Sequence, residues 1–322
     1  LEPRRRAGQT RRGTVGRVVN VIDIWKSESV VAGMQEKADR VVADVQREFR
    51  ISHVVAAFSG GDDSIVSTHW AIDRFGDALV MIGDTEIGLQ ATRDHQTRCV
   101  NDGGWDVVRV SPKPEGPPTG WSDNWVDGKT SYEEHVLNHG FPGNAMHGRM
   151  YQRLKQRAFR KVKREMTNRP KGSRIMVVSG IRADESAIRA GYKRAFNEEP
   201  KEGFVWVNPF YHCTASDFET YRQEFGLPRN PVKKLVGISG ECCCGAHATD
   251  GEREAYRIAE PAFADYLDKL EARVMQRFPW GWQNGPPKWW KDQKRGQGFL
   301  FPTDEMFMPA CVGCLRKGGQ RA

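Results

Sequence analysis

The chain has 322 residues, 39% of them hydrophobic and 28% charged, enough for one large domain or two modest ones. No apolar run approaches the roughly 20 residues that span a bilayer, and no signal-peptide pattern opens the chain, so a cytoplasmic protein without a membrane partner is expected. A net charge of +8 suits polyanions such as nucleotides or nucleic acid, and seven cysteines, five of them in two tight clusters, argue for a metal site over a disulfide framework.

Residues 1–20, with "RRR" and "RR" and little to bury, read as a flexible basic arm. From Ile22 to Arg50, Val30, Val31, Met34, Ala38, Val41, Val42 and Val45 recur at helical spacing, predicting one or two helices. Strands and helices then alternate. "HVVAAF" is a strand, Ile65–Phe75 a helix, "ALVMIG" a strand, Gln90–Asn101 a helix and "WDVVRV" a strand. A long helix from about Gly148 to Thr167 precedes a fourth strand, "RIMVVSGIR". Short aliphatic strands alternating with helices predict an α/β fold around a mostly parallel sheet. Between Ser111 and Met146 a stretch rich in Pro, Gly, Asp and Asn reads as a long functional loop. Beyond Gly203 regularity fades. Phe263–Phe278 looks helical, and a loop of Trp, Gly, Pro and Lys follows it. The expected division is an arm (1–20), a nucleotide-binding unit (21–240) and an irregular cysteine-containing region (241–322).

The chemistry starts at "SGGDDS", Ser59–Ser64, where a strand hands over to a helix. Glycines at such a turn expose backbone N–H groups, and the helix adds its positive N-terminal end, so the turn suits phosphate. Gly60 and Gly61 allow close approach, and Ser59 and Ser64 can add hydroxyls. The Gly-Lys-Ser/Thr ending of a Walker A loop is missing. A sharp turn with Asp63 or Ser64 as a helix cap is the plain structural alternative. Further on, "GIRADESAIR" offers Arg182, Glu185 and Arg189, an arginine fork suited to phosphate or sulfate. The helix "GRMYQRLKQRAFRKVKRE" sets Arg153, Lys155, Arg157, Arg160, Lys161, Lys163 and Arg164 around an apolar stripe, and reads either as a solvated amphipathic helix or as a polyanion-facing surface. Trp280, Trp282, Trp289 and Trp290 interleave with Lys288, Lys291, Lys294 and Arg295, a pattern open to packing or to nucleic-acid contact. Cys242–Cys244 and the Cys311-x-x-Cys314 pair can complete a four-cysteine site for zinc or a [4Fe–4S] cluster, which spacing does not separate. Cys99 and Cys213 read as ordinary core or pocket residues.

"SGGDDS" resembles the Ser-Gly-Gly-x-Asp-Ser pyrophosphate loop of the adenine-nucleotide α-hydrolase superfamily. "VMIGDT", "GIRADESAIR" and "VNPFYHCTASDFETYRQEFGLPRNPVKKLVGISGEC" resemble, in the same order, segments of its PAPS reductase-like branch. The resemblance runs from about Ser52 to Gly245. It implies a Rossmann-like sheet with nucleotide at the strands' C-terminal ends. By it, Ser59, Gly60, Gly61, Asp63 and Ser64 hold nucleotide phosphate, Asp84 and Thr85 line the nucleoside side, and Arg182, Glu185, Ser186 and Arg189 line the far side of the pocket. Lys155 fits a lysine that follows a leucine in the family. Asp63, Arg182 and Glu185 are the expected catalytic residues. The cysteine arrangement is similar to the [4Fe–4S] site of the APS-type enzymes, which implies Cys242, Cys244, Cys311 and Cys314 as ligands and Cys243 as a substitute ligand or bystander.

The tail "CLRKGGQRA" departs from the reductases, lacking their nucleophilic Glu-Cys-Gly-x-His segment, which "GECCCGAH" echoes only at the cluster position. Relatives without that cysteine include DNA phosphorothioation proteins, which activate a target oxygen with ATP and Mg²⁺ before sulfur replaces it. The expectation is therefore an ATP-pyrophosphatase-type enzyme that adenylates DNA or tRNA for sulfur insertion, with a cysteine desulfurase or thiol as sulfur donor. The alternatives are a PAPS or APS reductase and a non-catalytic nucleotide-binding module.

Overall fold

Aliphatic runs too short for helices occupy the centre of the molecule. In the computed structural model, which describes residues 29–113, 130–166 and 168–294, they form a six-stranded sheet of order β3-β2-β1-β4-β6-β5. In chain order the elements are α1 (Val30–Glu48), β1 (Ile51–Ala57), α2 (Asp62–Phe75), β2 (Leu79–Gly83), α3 (Gln90–Gly103), β3 (Val107–Val110) and α4 (Ser131–His139). Then come α5 (His147–Tyr151), a π-helical turn (Gln152–Gln156), α6 (Arg157–Glu165), β4 (Arg174–Val178), α7 (Ala187–Ala190), β5 (Phe196–Glu199) and β6 (Phe204–Val207). The helices α8 (Ala215–Glu224), α9 (Lys233–Val236), α10 (Glu252–Ala259), α11 (Pro261–Met275) and α12 (Lys288–Lys294) follow. All pairings are parallel except β5 on β6.

Side chains alternate across a strand, and here each face feeds a separate core. Ala56, Val80, Ile82, Met176, Val178, Val205 and Val207 pack with α1, α2 and α8 on one face. Val55, Met81, Ile175, Val177, Phe204 and Trp206 meet Ala158, Phe159 and Val162 of α6 on the other. Burial on both faces is why these strands carry unbroken apolar runs. A third core joins Ile87 and Leu89 to α4, α10, α11 and the buried Trp280 and Trp282.

Two sequence expectations change, and two readings left open are narrowed. Regularity does not fade beyond Gly203, because "FVWV" is the fully buried strand β6, paired to β4. The Ser111–Met146 stretch contains α4, started by a capping box in which Thr130 and Glu133 satisfy each other's backbone N–H groups. The tryptophan segment is mostly core: Trp280 Nε1 donates to Phe141 O at 2.9 Å, Trp282 Nε1 to Cys243 O at 3.1 Å, and Trp290 packs on Trp280, while Trp289 is exposed. The charge of the basic helix is partly neutralised internally. Arg153 pairs with Glu134, Lys155 with Glu241, Arg160 and Lys163 with Glu202, and Lys161 donates to the Pro112 carbonyl. The arm at 1–20, Cys311 and Cys314 lie outside the described residues. Within them, no helix is long and apolar enough to cross a membrane.

Candidate nucleotide and thiol site

Strand order reverses at β1: β2 lies on one side of it and β4 on the other. Open α/β sheets bind ligands at such a switch point, outside the strands' C-terminal ends. The Phe58–Gly61 turn leaves β1 there, and Ser179–Arg182 leaves β4 beside it. Gly60 takes φ +78°, a conformation glycine adopts without strain. Gly61 precedes α2, whose first turn has no side-chain cap, so its N–H groups face outward as an anion site. The serines shape this loop. Ser59 Oγ donates to Ser64 Oγ at 3.0 Å, and Ser64 Oγ donates to Gly61 O at 2.9 Å. Both hydroxyl protons are thus engaged inside the turn, and the Ser59 and Gly61 N–H groups also turn inward, donating to Ser64 Oγ and Ser59 Oγ at 3.3 Å each.

The two turns touch. A Cβ on Gly180 would stand 2.6 Å from the Asp63 carbonyl, so only glycine fits. Arg182 Nη2 lies 3.4 Å from Asp63 Oδ2, and its Nη1 2.6 Å from Asp184. Glu185 accepts from the Arg182 backbone N–H at 3.0 Å and pairs with the buried Arg189, while Ser186 Oγ caps the Arg189 N–H at 3.3 Å. The residues expected around the arginine fork are therefore together, with Asp184 added.

Asp84 and Thr85 leave β2 on the adjoining side. Asp84 is buried between Arg93 (3.3 Å) and Arg109 (3.8 Å), and its Oδ1 accepts from Glu86 N. Glu86 is fully buried at φ +63°, and its carboxylate accepts from Lys113 N at 2.9 Å and Ser131 N at 2.5 Å. Burial raises its carboxyl above the usual range, against those two hydrogen bonds.

The cysteine segment is laced onto this turn. Leu89 N donates to Gly240 O (2.8 Å), Thr85 Oγ1 to Glu241 O (2.6 Å) and Cys243 N to Ile87 O (2.7 Å). Lys155, on the π-helical turn, reaches Glu241 Oε2 at 2.9 Å. The three thiols differ. Cys243 is 1% exposed, its Sγ lies 3.7 Å from Gly240 O, and burial raises it well above the ordinary thiol range. Cys244 is also buried, with its carbonyl accepting from Tyr132 Oη at 2.9 Å, whereas Cys242 is half-buried. Cys242 and Cys244 have the donor chemistry for iron or zinc. No group of three or more His, Cys, Asp or Glu side chains able to hold a metal occurs among the described residues, and the other two expected ligands lie outside them. Cys99 and Cys213 are core residues, each pushed up to about 11 by burial.

Sequence reasoning missed the residues that join these pieces. Asp62 accepts from Asn230 N at 3.3 Å and pairs with Lys233 at 3.0 Å. Asn230 Nδ2 bridges Gly60 O and Ser239 O, each at 2.9 Å, and Gln96 Nε2 donates to Ser59 O at 2.9 Å. Asn230 stands within "LPRNP", the one sequence signal that marks it; nothing local marks Gln96, Glu86 or Glu241.

A glycine turn at the switch point of a mostly parallel sheet is the arrangement in which open α/β proteins bind ligands. A family model described as the phosphoadenosine phosphosulfate reductase domain matches residues 53–235, more than half of the chain, and the chain belongs to that family. Among solved structures, the chain is similar to a phosphoadenylyl-sulfate (PAPS) reductase from Candida auris in a phosphate complex (15% identity, 64% of this chain and 85% of that one, TM-score 0.44). It is also similar to an NH3-dependent NAD synthetase from Campylobacter jejuni (14% identity, 76% and 92%, TM-score 0.38). A third is the U34-tRNA thiolase NcsA from Methanococcus maripaludis with its [4Fe-4S] cluster (11% identity, 86% and 91%, TM-score 0.38). No curated protein sequence matches the chain.

Proposed function

We propose that the chain is an ATP-pyrophosphatase-type enzyme that adenylates a nucleic acid, DNA or tRNA, for sulfur insertion. The observation that carries this reading is the lacing of Gly240–Cys243 onto Thr85–Leu89, which sets three thiols against the turn beside the anion loop. The acceptor oxygen attacks the α-phosphorus of ATP and pyrophosphate leaves. A hydrosulfide-level sulfur then displaces AMP, which carries that oxygen away. The backbone donors of Asp62 and Asp63 and the Arg182 guanidinium would meet phosphate charge, and Mg²⁺ would offset repulsion from Asp62 and Asp63. A [4Fe–4S] cluster on Cys242, Cys244, Cys311 and Cys314 would hold the sulfur at the site.

A second reading, a sulfonucleotide reductase, is favoured by the name of the matching family. It needs an exposed thiol nucleophile, which buried Cys243 does not offer, leaving half-buried Cys242 as the candidate among the described residues. Anaerobically purified protein, assayed for AMP and pyrophosphate with and without DNA or tRNA, separates the two. Nucleic-acid-dependent pyrophosphate release is the expected result; sulfite release from PAPS with reduced thioredoxin, lost in Cys242→Ser, would overturn it.

A further inference from the structure

A second concavity, of about 500 Å³, lies along α2 away from the anion loop. Ile65, His69, Ile72 and Asp73 line it at the i, i+4, i+7, i+8 spacing of one helical face. The opposite wall is the end of α3 with Trp105, and Gly226–Pro228 closes the third side. Its volume is within the roughly 300–1,000 Å³ of small-molecule sites.

The wall has a specific build. A Cβ on Gly103 would come 2.3 Å from the Trp105 indole nitrogen, so the glycine lets the indole lie back over the end of α3. The indole is braced edge-on by Phe58, ring centroids 5.7 Å apart. His69 Nδ1 is 3.1 Å from Tyr221 Oη. Burial lowers His69 below the ordinary histidine range, against the opposing pull of Asp73, so a neutral imidazole faces the site near pH 7. Asp73 and Asp102 stand at the exposed rim, and neither forms an ion pair among the described residues.

We propose that this cleft binds a small aromatic amine, its ring against Trp105 and its ammonium between Asp73 and Asp102. Apolar walls take the ring, the indole face favours a nearby cation, and two carboxylates exclude anions. The site is separate from the nucleotide turn, so ligand binding does not depend on the activity proposed above.

The test is calorimetric titration of the whole protein with tryptamine and with indole-3-acetate, each with and without ATP. Tryptamine is expected to bind saturably, one per chain, with unchanged affinity when ATP is present. Asp73→Asn/Asp102→Asn, at exposed positions that leave the core intact, is expected to weaken it at least tenfold without altering ATP binding. The proposal is overturned if tryptamine shows no saturable binding, if indole-3-acetate binds equally well, if ATP competes, or if the double variant binds as the parent does.

Discussion

Lys155 and Glu241 form a buried ion pair, Nζ to Oε2 2.9 Å, with side chains 3% and 10% exposed. The lysine comes from a π-helical turn, a feature frequent at functional sites, and the glutamate precedes the three cysteines. One contact therefore ties the nucleotide side of the sheet to the thiol segment.

Breaking that pair from either end leaves a charge in a poorly hydrated place, which costs about 3 kcal/mol or more. Glu241→Gln is expected to lose that much unfolding free energy in a denaturant titration. Lys155→Met/Glu241→Leu, which removes both charges, is expected to recover most of it. Equal losses in the single and double variants would contradict the penalty for leaving one charge unpaired.

Glu86 predicts a pH dependence with a definite sign. Its folded-state carboxyl is raised, so the folded protein holds that proton more tightly than the unfolded chain does. Its contribution to stability is therefore greatest below the ordinary glutamate range and falls as pH rises from there through the raised folded value. Glu86→Gln is expected to flatten this part of the thermal-stability profile while keeping an acceptor for Lys113 or Ser131. A profile unchanged by the substitution would contradict the assignment.

The adjacent acids of the anion turn are expected to separate by role. Asp62 holds Asn230 and Lys233, whereas Asp63 faces Arg182. Asp62→Ala is expected to expose the 229–233 segment to limited proteolysis several-fold faster. Asp63→Asn is expected to leave proteolysis unchanged and lower turnover at least tenfold. The reverse pattern in the two assays would exchange the roles.

Thiol reactivity follows burial. Iodoacetamide added to folded, metal-free protein is expected to alkylate Cys242 ahead of Cys243 by at least tenfold, because Cys243 is enclosed and its thiol is raised by burial. Peptide mass mapping over a time course reads this directly.

Much of this architecture was legible from local pattern. The strands "HVVAAF", "ALVMIG" and "RIMVV" announce a doubly covered sheet because burial on both faces demands continuous apolar side chains. "SGGDDS" announces its anion turn because glycine takes the φ +78° backbone at Gly60 without strain. Strand β6 escaped notice because four residues between a turn and Asn208-Pro209 are too few to establish a period. Asp62, Gln96 and Asn230 escaped because their roles lie in contacts across the chain: Gln96 to Ser59 spans 37 positions, and Asn230 to Gly60 spans 170. No local spacing rule reports such pairs.

The link between Thr85 and Glu241 crosses 156 positions. Contacts so distant in sequence form late, since the intervening chain must be ordered first. During synthesis, the anion turn therefore emerges long before the thiols that complete its surroundings. A nascent chain has the glycine turn without the cysteine segment beside it, and the two are joined only when the segment around Gly240–Cys243 docks.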